Sequence, residues 1–334
     1  MKNLLKQLTE TFGPSGYEEN VRKLVLSEVK PLADETRVDA LGNLIVHKQP
    51  SRQTKDTKRI MIAAHMDEIG LIVSHVDENG FVRFSSIGGV FGKYILGGRI
   101  QFLNGTQGVI GYDRFEKVHE MPPLDKIYID VGASSRKDCP VKVGDVAAFD
   151  RPFIELGNRL VSKSMDDRVG VLVAIEALRA LKSTLHDVYF VFTTQEEVGV
   201  RGARTSAFGI DPDIGIAIDV THSADTPNAA KMEMGLGKGP CIKIQDPGMI
   251  SDPRVVEWMI RAAEKNKIPY QREVLLFGST DAQAMQIARA GVPSGCISIP
   301  TRYIHSPSEM VDYSDIQNSV KLLTAVLNTK IDLG

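Results

Sequence analysis

Several histidine and acidic side chains in this sequence follow directly on short apolar runs. Ile60-Met61-Ile62-Ala63-Ala64 runs into His65-Met66-Asp67, and the run 188–192 leads through Thr193-Thr194-Gln195 into Glu196-Glu197. The run 214–218 ends at Asp219, and 296–299 leads through Pro300-Thr301-Arg302-Tyr303 to His305. Asp166-Asp167 stands just before a helical pattern that begins near Val169. Imidazole mixed with carboxylate suits zinc, cobalt or manganese. Two divalent ions ~3.5–4 Å apart need roughly five protein ligands, one of them a bridging carboxylate, and this set can supply them. Carboxylates packed this closely would repel one another without cations, which is a physical reason to expect metal.

The elements that must position these groups are legible from the apolar pattern. Short continuous apolar runs predict strands buried on both faces, and helical patterns at 169–181, 253–266 and 282–290 separate them. Strand alternating with helix predicts an α/β fold with a largely parallel sheet and helices on both faces. The carboxyl edge of such a sheet is where ligands bind, so groups at four strand ends can converge in one crevice. Upstream, Leu4, Leu5 and Leu8 share a helical face, Gly13-Pro14-Ser15-Gly16 breaks it, and Ser15 with Glu18 has the spacing of a capping box for a second helix. Extended segments are expected at 35–39 and 43–47, then an exposed polar loop at 48–58.

The stretch 70–162 has a different character. It is rich in glycine, including Gly88, Gly89, Gly92, Gly97 and Gly98, carries short alternating segments at 81–84 and 127–131, and holds no convincing helix. An inserted all-β domain, a small barrel or sandwich, is the economical reading. The expected organisation is a discontinuous catalytic domain of residues 1–69 and 163–334, with residues 70–162 inserted for oligomerisation and substrate access.

Composition sets the outer bounds. The 334 residues are 43% hydrophobic and 25% charged, and 40 Lys+Arg against 42 Asp+Glu leave a formal charge of −2. With no basic block, nucleic acid is not an expected partner. Nothing approaches the ~18 apolar residues of a membrane span, and the amino terminus reads as an amphipathic helix rather than a signal region. Cys139, Cys241 and Cys296 are widely spaced, as in a reducing compartment, so a cytoplasmic protein is expected.

A lone strand-end acid is usually solvated or caps a helix, and His47, His75, His119, His186 and His222 are read as carrying no chemistry. His65 with Asp67 two residues on is stronger, because that spacing lets a carboxylate orient a ligating imidazole. HExxH, GxSxG, GxxxxGK[ST] and a strand-linked GxGxxG are all missing, and the glycine-rich 235–240 reads as loop. From the residues alone, Asp166 and Asp167 are equally good candidate ligands.

In this order the segments resemble the dinuclear metallo-aminopeptidases of the glutamyl aminopeptidase and tetrahedral aminopeptidase family, a zinc-peptidase-like fold some of whose members have been labelled endoglucanases. The matching residues are Ala64-His65-Met66-Asp67-Glu68-Ile69-Gly70, Ser164-Met165-Asp166-Asp167-Arg168, Gln195-Glu196-Glu197-Val198-Gly199, Ile218-Asp219 and Ile299-Pro300-Thr301-Arg302-Tyr303-Ile304-His305-Ser306-Pro307. The resemblance spans nearly the whole chain. It implies that Asp166 bridges two metal ions, zinc or cobalt foremost with manganese compatible, with His65 and Asp219 completing one site and Glu197 and His305 the other. Glu196 would be the general base, Asp67 would support His65, and the Asp166–Asp167 peptide would be cis. Where the family has Gly-Gly-Thr-Asp, this chain has Gly278-Ser279-Thr280-Asp281, so substrate preference is not carried over.

The implied chemistry is hydrolysis of a peptide's N-terminal residue by hydroxide held between the metals, with Glu196 moving the proton to the leaving amine. The same ligands would also serve a dinuclear amidohydrolase or deacylase of small N-acyl substrates. A glycoside hydrolase and a metal-stabilised binding protein without turnover are weaker readings; the free Glu196 beside Glu197 argues against the latter. On resemblance alone the chain is expected to be a homo-oligomer, a tetrahedral dodecamer being the family's form.

Overall fold

In a computed structural model of the chain, residues 1–114 and 121–331 are described; His119 lies outside them. The centre of the fold is four parallel strands in the order Asp187–Thr193, Arg59–His65, Ile214–His222, Ser294–Arg302. Alternate residues of Arg59–His65 feed two separate cores: Ile60, Ile62 and Ala64 on one face, Met61 and Ala63 on the other. Burial on both faces is why the run is continuously apolar. Helices Lys2–Glu10, Glu19–Val29, Met165–Ala180, Pro253–Lys265 and Tyr313–Leu327 cover the first face. Arg201–Ile210 and Asp281–Gln286 cover the second.

The sheet is mixed rather than largely parallel. Leu44–Lys48 runs antiparallel to Asp187–Thr193 and continues to Glu35–Val38, while Cys241–Asp246 and Glu309–Asp312 both run antiparallel to Ser294–Arg302. Short links such as the turn between Glu35–Val38 and Leu44–Lys48 allow only antiparallel pairing, because a parallel neighbour needs a long crossover. The helix expected over 282–290 stops at Gln286, and the helices Arg201–Ile210 and Tyr313–Leu327 complete the layers without having been singled out in the sequence.

Six strands from the middle of the chain close a barrel in the order Gly70–Val76, Val82–Ile87, Ile127–Asp130, Gln107–Tyr112, Arg99–Phe102, Val146–Phe149. Period-two alternation fills its interior with Leu71, Val73, Ile100, Phe102, Ile127 and Ile129. A single helical turn, Gly92–Ile95, and a 3-10 turn, Leu124–Lys126, interrupt the barrel segment, so that stretch is not free of helix. Ile154–Leu156 and Arg159–Ser162 also fall within 70–162, yet they join the large sheet, Arg159–Ser162 pairing with Glu309–Asp312. Among the described residues no helix is long and apolar enough to cross a membrane.

Candidate metal centre and active site

Strand register brings the chemistry to one level. His65 is the Cα partner of Thr193 across one parallel pair, and Ala63 is the partner of Ala217 across the other. Asp219, two residues beyond Ala217, therefore lies level with His65. It sits inside its strand rather than past the end, because Val220, Thr221 and His222 go on pairing with Ile299, Pro300 and Thr301. The loops beyond the strand ends carry Glu196-Glu197 and His305. Gln195, Tyr303 and His305 all take positive φ (56°, 62° and 61°), backbone conformations that L side chains adopt where a loop is held in a special shape.

Asp166 enters from the other side, at the start of the Met165–Ala180 helix, where the Asp166–Asp167 peptide is cis. Its two carboxylate oxygens face two different imidazoles. Oδ1 lies 3.0 Å from His65 Nε2, and Oδ2 lies 3.4 Å from His305 Nε2. His305 Nε2 is also 3.2 Å from Glu197 Oε2, and His65 Nε2 is 3.9 Å from Asp219 Oδ1. Two overlapping sets of donor atoms gather within 4.8 Å, one from His65, Asp166 and Glu197 and one from His65, Asp167 and Asp219.

The surroundings orient these groups. His65 Nδ1 lies 3.1 Å from the main-chain oxygen of Asp67 and 3.5 Å from that residue's Oδ1. Asp67 accepts the Ser15 hydroxyl at 2.6 Å, and Glu18 accepts the main-chain N–H groups of Gly16 and Gln195. Ser15 and Glu18 are thus not a capping box. The Glu19–Val29 helix starts at Glu18 with no side-chain cap, because both residues are engaged by the site loops. Glu309, which sequence reasoning missed, accepts the N–H of Asp166 through Oε2 (2.9 Å) and that of His305 through Oε1 (2.8 Å).

The electrostatics of the centre are those of crowded, buried acids. Burial pushes the Asp167, Glu196 and Asp219 carboxyls well above the carboxylate range, with repulsion from neighbouring acids adding to it, and raises Glu197 likewise. Burial opposes charge on His305 as well, but Glu197 and Asp166 outweigh it and its pKa is pushed up to about 12. The same two imidazoles, His305 and His65, hold Asp166 below its ordinary value despite its burial. Asp167 Oδ2 is buried without a hydrogen-bond partner, its Oδ1 being taken by the Gly170 N–H. Divalent cations would relieve the repulsion among these acids, and imidazole mixed with carboxylate suits such ions, so this donor set fits metal.

Above these groups lies a cleft of about 380 Å³, lined by His65, Asp166, Glu196, Glu197, Asp219 and His305 among others. Its wall includes Gly89 from the barrel side of the fold, with Gly88 packed beside it against Glu197. A Cβ on Gly89 would lie 2.5 Å from His305 Nδ1, and one on Gly88 would lie 3.0 Å from Glu197 Oε2. The doubled glycine was the sequence signal for this close approach. His222 also lines the cleft, its ring edge-on to Phe277 at 4.8 Å. The other described histidines are engaged elsewhere: His47 with Asp187, His75 with Arg136 and His186 with the Thr329 carbonyl.

Comparison with known proteins gives the family. Residues 42–322 match the family described as M42 glutamyl aminopeptidase. The chain belongs to that family. It is therefore a peptidase of the metal-dependent aminopeptidase class. It is 46% identical over 331 residues to a putative aminopeptidase of Acetivibrio thermocellus, covering 98% of each chain. Among solved structures, the aminopeptidase APDkam598 of the archaeon Desulfurococcus kamchatkensis superimposes with a TM-score of 0.93 at 44% identity, over 98% of this chain and 94% of that one. The TET1 peptidase of Pyrococcus horikoshii, described as assembling into a tetrahedron or a large octahedral shell, gives 0.88 at 34% identity, over 98% and 99%.

Proposed function

We propose that the chain removes the N-terminal residue of peptides with two divalent ions, His65 and Asp219 holding one, Glu197 and His305 the other, and Asp166 lying between them. The observation that carries this reading is the disposition of Asp166, whose two oxygens face His65 and His305 separately. Asp167 lacks such a pair of partners. When bound, the ions supply Lewis acidity, acidify water and offset negative charge that develops on the scissile carbonyl.

The protein's own groups do the rest. Glu196, partly exposed in the cleft and outside the proposed ligand set, takes a proton from the attacking water and passes it to the leaving amine. Asp67 holds His65 and the Glu196-Glu197 main chain in register with it. The concentration of carboxylates favours a substrate bearing a free ammonium group, which restricts cleavage to the chain end. Zinc or cobalt suits the imidazole and carboxylate donors best, with manganese compatible.

The reading extends to a cytoplasmic homo-oligomer of the tetrahedral kind. Exposed apolar side chains on the barrel, Leu103, Val109 and Tyr112, favour burial against further copies. It also divides the chain into a catalytic unit of 1–69 and 163–334 and a barrel unit of 70–162 for assembly and substrate access, with the second boundary better placed just after Phe149, where the barrel strands end.

The test compares p-nitroaniline release from leucyl-p-nitroanilide with acetate release from N-acetyl-leucine on metal-loaded protein. The free amine should be required for turnover. Faster hydrolysis of N-acyl substrates would make the protein a deacylase instead.

A further inference from the structure

The candidate metal centre occupies one side of the cleft, and the remaining wall is largely apolar. Val200, Val220, Leu275, Phe277 and Ile304 form it, and four of these five are nearly buried, with only Phe277 exposed, at 44%. The polar side chains among them are Thr221, Ser279, Gln283 and the His222 imidazole, whose burial lowers its pKa and favours the neutral form. Beyond the candidate centre and its Glu196, no Asp, Glu, Lys or Arg of the described residues lines the cleft.

The cations nearby in the fold are committed elsewhere. Lys243, whose charge acts on Asp219, is fully buried against Glu273 at 2.7 Å and Asp246 at 3.2 Å. Arg302 is paired with Asp225 at 2.9 Å. Asp246 also accepts the Ser279 hydroxyl at 2.9 Å, which holds the 277–279 segment against the cleft with its uncharged face inward.

We infer that the pocket for the substrate's N-terminal side chain selects a neutral, apolar residue, leucine, methionine or phenylalanine, and rejects acidic ones. The inference rests on the aminopeptidase reading and adds the substrate class. A glutamate side chain would leave water for an apolar wall with no cation to meet it, close to a group of carboxylates. Burying a charge without a partner is among the costliest events in recognition. A lysine ammonium finds no acid on that wall either, but its aliphatic stem packs there and its head reaches water, so its penalty is smaller. An apolar side chain gains roughly 25 cal/mol for each Å² it buries.

The experiment is a panel of leucyl-, methionyl-, phenylalanyl-, lysyl- and glutamyl-p-nitroanilides with N-acetyl-leucyl-p-nitroanilide, on the assembled metal-loaded protein. The expected kcat/KM for leucine exceeds that for lysine about tenfold and that for glutamate about a hundredfold. Calorimetric binding of free leucine, lysine and glutamate should show the same order. Glutamate or lysine equal to or above leucine would overturn the inference while leaving the aminopeptidase intact, as would be the case if another subunit supplied a charge to the pocket. Turnover of the N-acetyl compound alone would overturn both. As a second arm, Gln283→Glu places an acid on the wall and should raise lysine relative to leucine about fivefold or more; an unchanged ratio would remove Gln283 from the pocket and count against the assignment.

Discussion

Asp67 Oδ1 accepts the main-chain N–H of Glu196 at 3.0 Å. The same carboxylate takes the N–H of Glu197 through Oδ2 at 3.1 Å and stands beside His65 Nδ1, so one fully buried side chain sets the positions of an imidazole and of two consecutive glutamates. Its shift reflects this: burial would raise it, yet His65, Ser15 and the Glu196 N–H together lower it. Asp67→Ala should cost about 10–100-fold in kcat/KM, because partners at this distance from a metal typically matter by that factor. Steady-state kinetics with metal content measured in parallel decides it, and a variant within twofold of wild type would contradict the positioning role.

Glu196 has a different task, and its variant should behave differently. On the proposed mechanism Glu196→Gln keeps the shape but removes the base, so kcat should fall about 10²–10⁴-fold with the metal content unchanged. Loss of metal together with activity would show instead that Glu196 is a ligand.

Glu309 straps together the two segments that meet at Asp166 and His305. Its carboxyl is buried and raised well above the ordinary range, with the Asp166 charge adding to the effect of burial. Glu309→Ala should weaken metal affinity about 10–100-fold, read by calorimetric titration of the metal-depleted protein. Unaltered affinity would mean the strap is redundant.

Chelation should destabilise the protein, since it leaves Asp167, Glu196, Glu197 and Asp219 facing one another uncompensated. Returning ions to about 100 times their Kd should recover about 2.7 kcal/mol. Scanning calorimetry before and after chelation tests this, and an unchanged Tm in protein shown to be metal-free would argue against a centre that couples to folding.

Asp315 gives a pH dependence away from the centre. It accepts the N–H groups of Gly237 (2.6 Å) and Gly239 (2.7 Å), and burial nevertheless pushes its pKa up to about 6. Between its unfolded value near 3.8 and about 6, the folded chain holds a proton that the unfolded chain has released. The stabilisation is complete below about pH 3.8 and is lost as the pH rises through about 6. From about pH 4.5 to about pH 7, urea midpoints should drop more for wild type than for Asp315→Asn, and parallel profiles would exclude Asp315 as the source.

The sequence by itself determined which residue types stand after which apolar runs. That information is local, since a strand buried on both faces must be apolar along its length and the residues just past its end must lie at the sheet edge. His65, Glu197 and His305 were legible for this reason, and Asp219 nearly so, misjudged only in that its strand runs on to His222. The mixed direction of the outer strands was not legible, because pairing partners lie far apart in the chain. The preference for Asp166 over Asp167 in the proposed reading comes from tertiary geometry, since their order in the chain is silent on which carboxylate splits its oxygens between two imidazoles. Only the tertiary structure took Ser15 and Glu18 from a helix cap to the support of Asp67 and Gln195, placed Gly89 and His222 in the cleft wall, and set Gly88 against Glu197 and Glu309 behind Asp166 and His305. Each of those contacts spans tens to hundreds of residues and depends on how strands register and where crossovers land, which periodicity along the chain cannot encode.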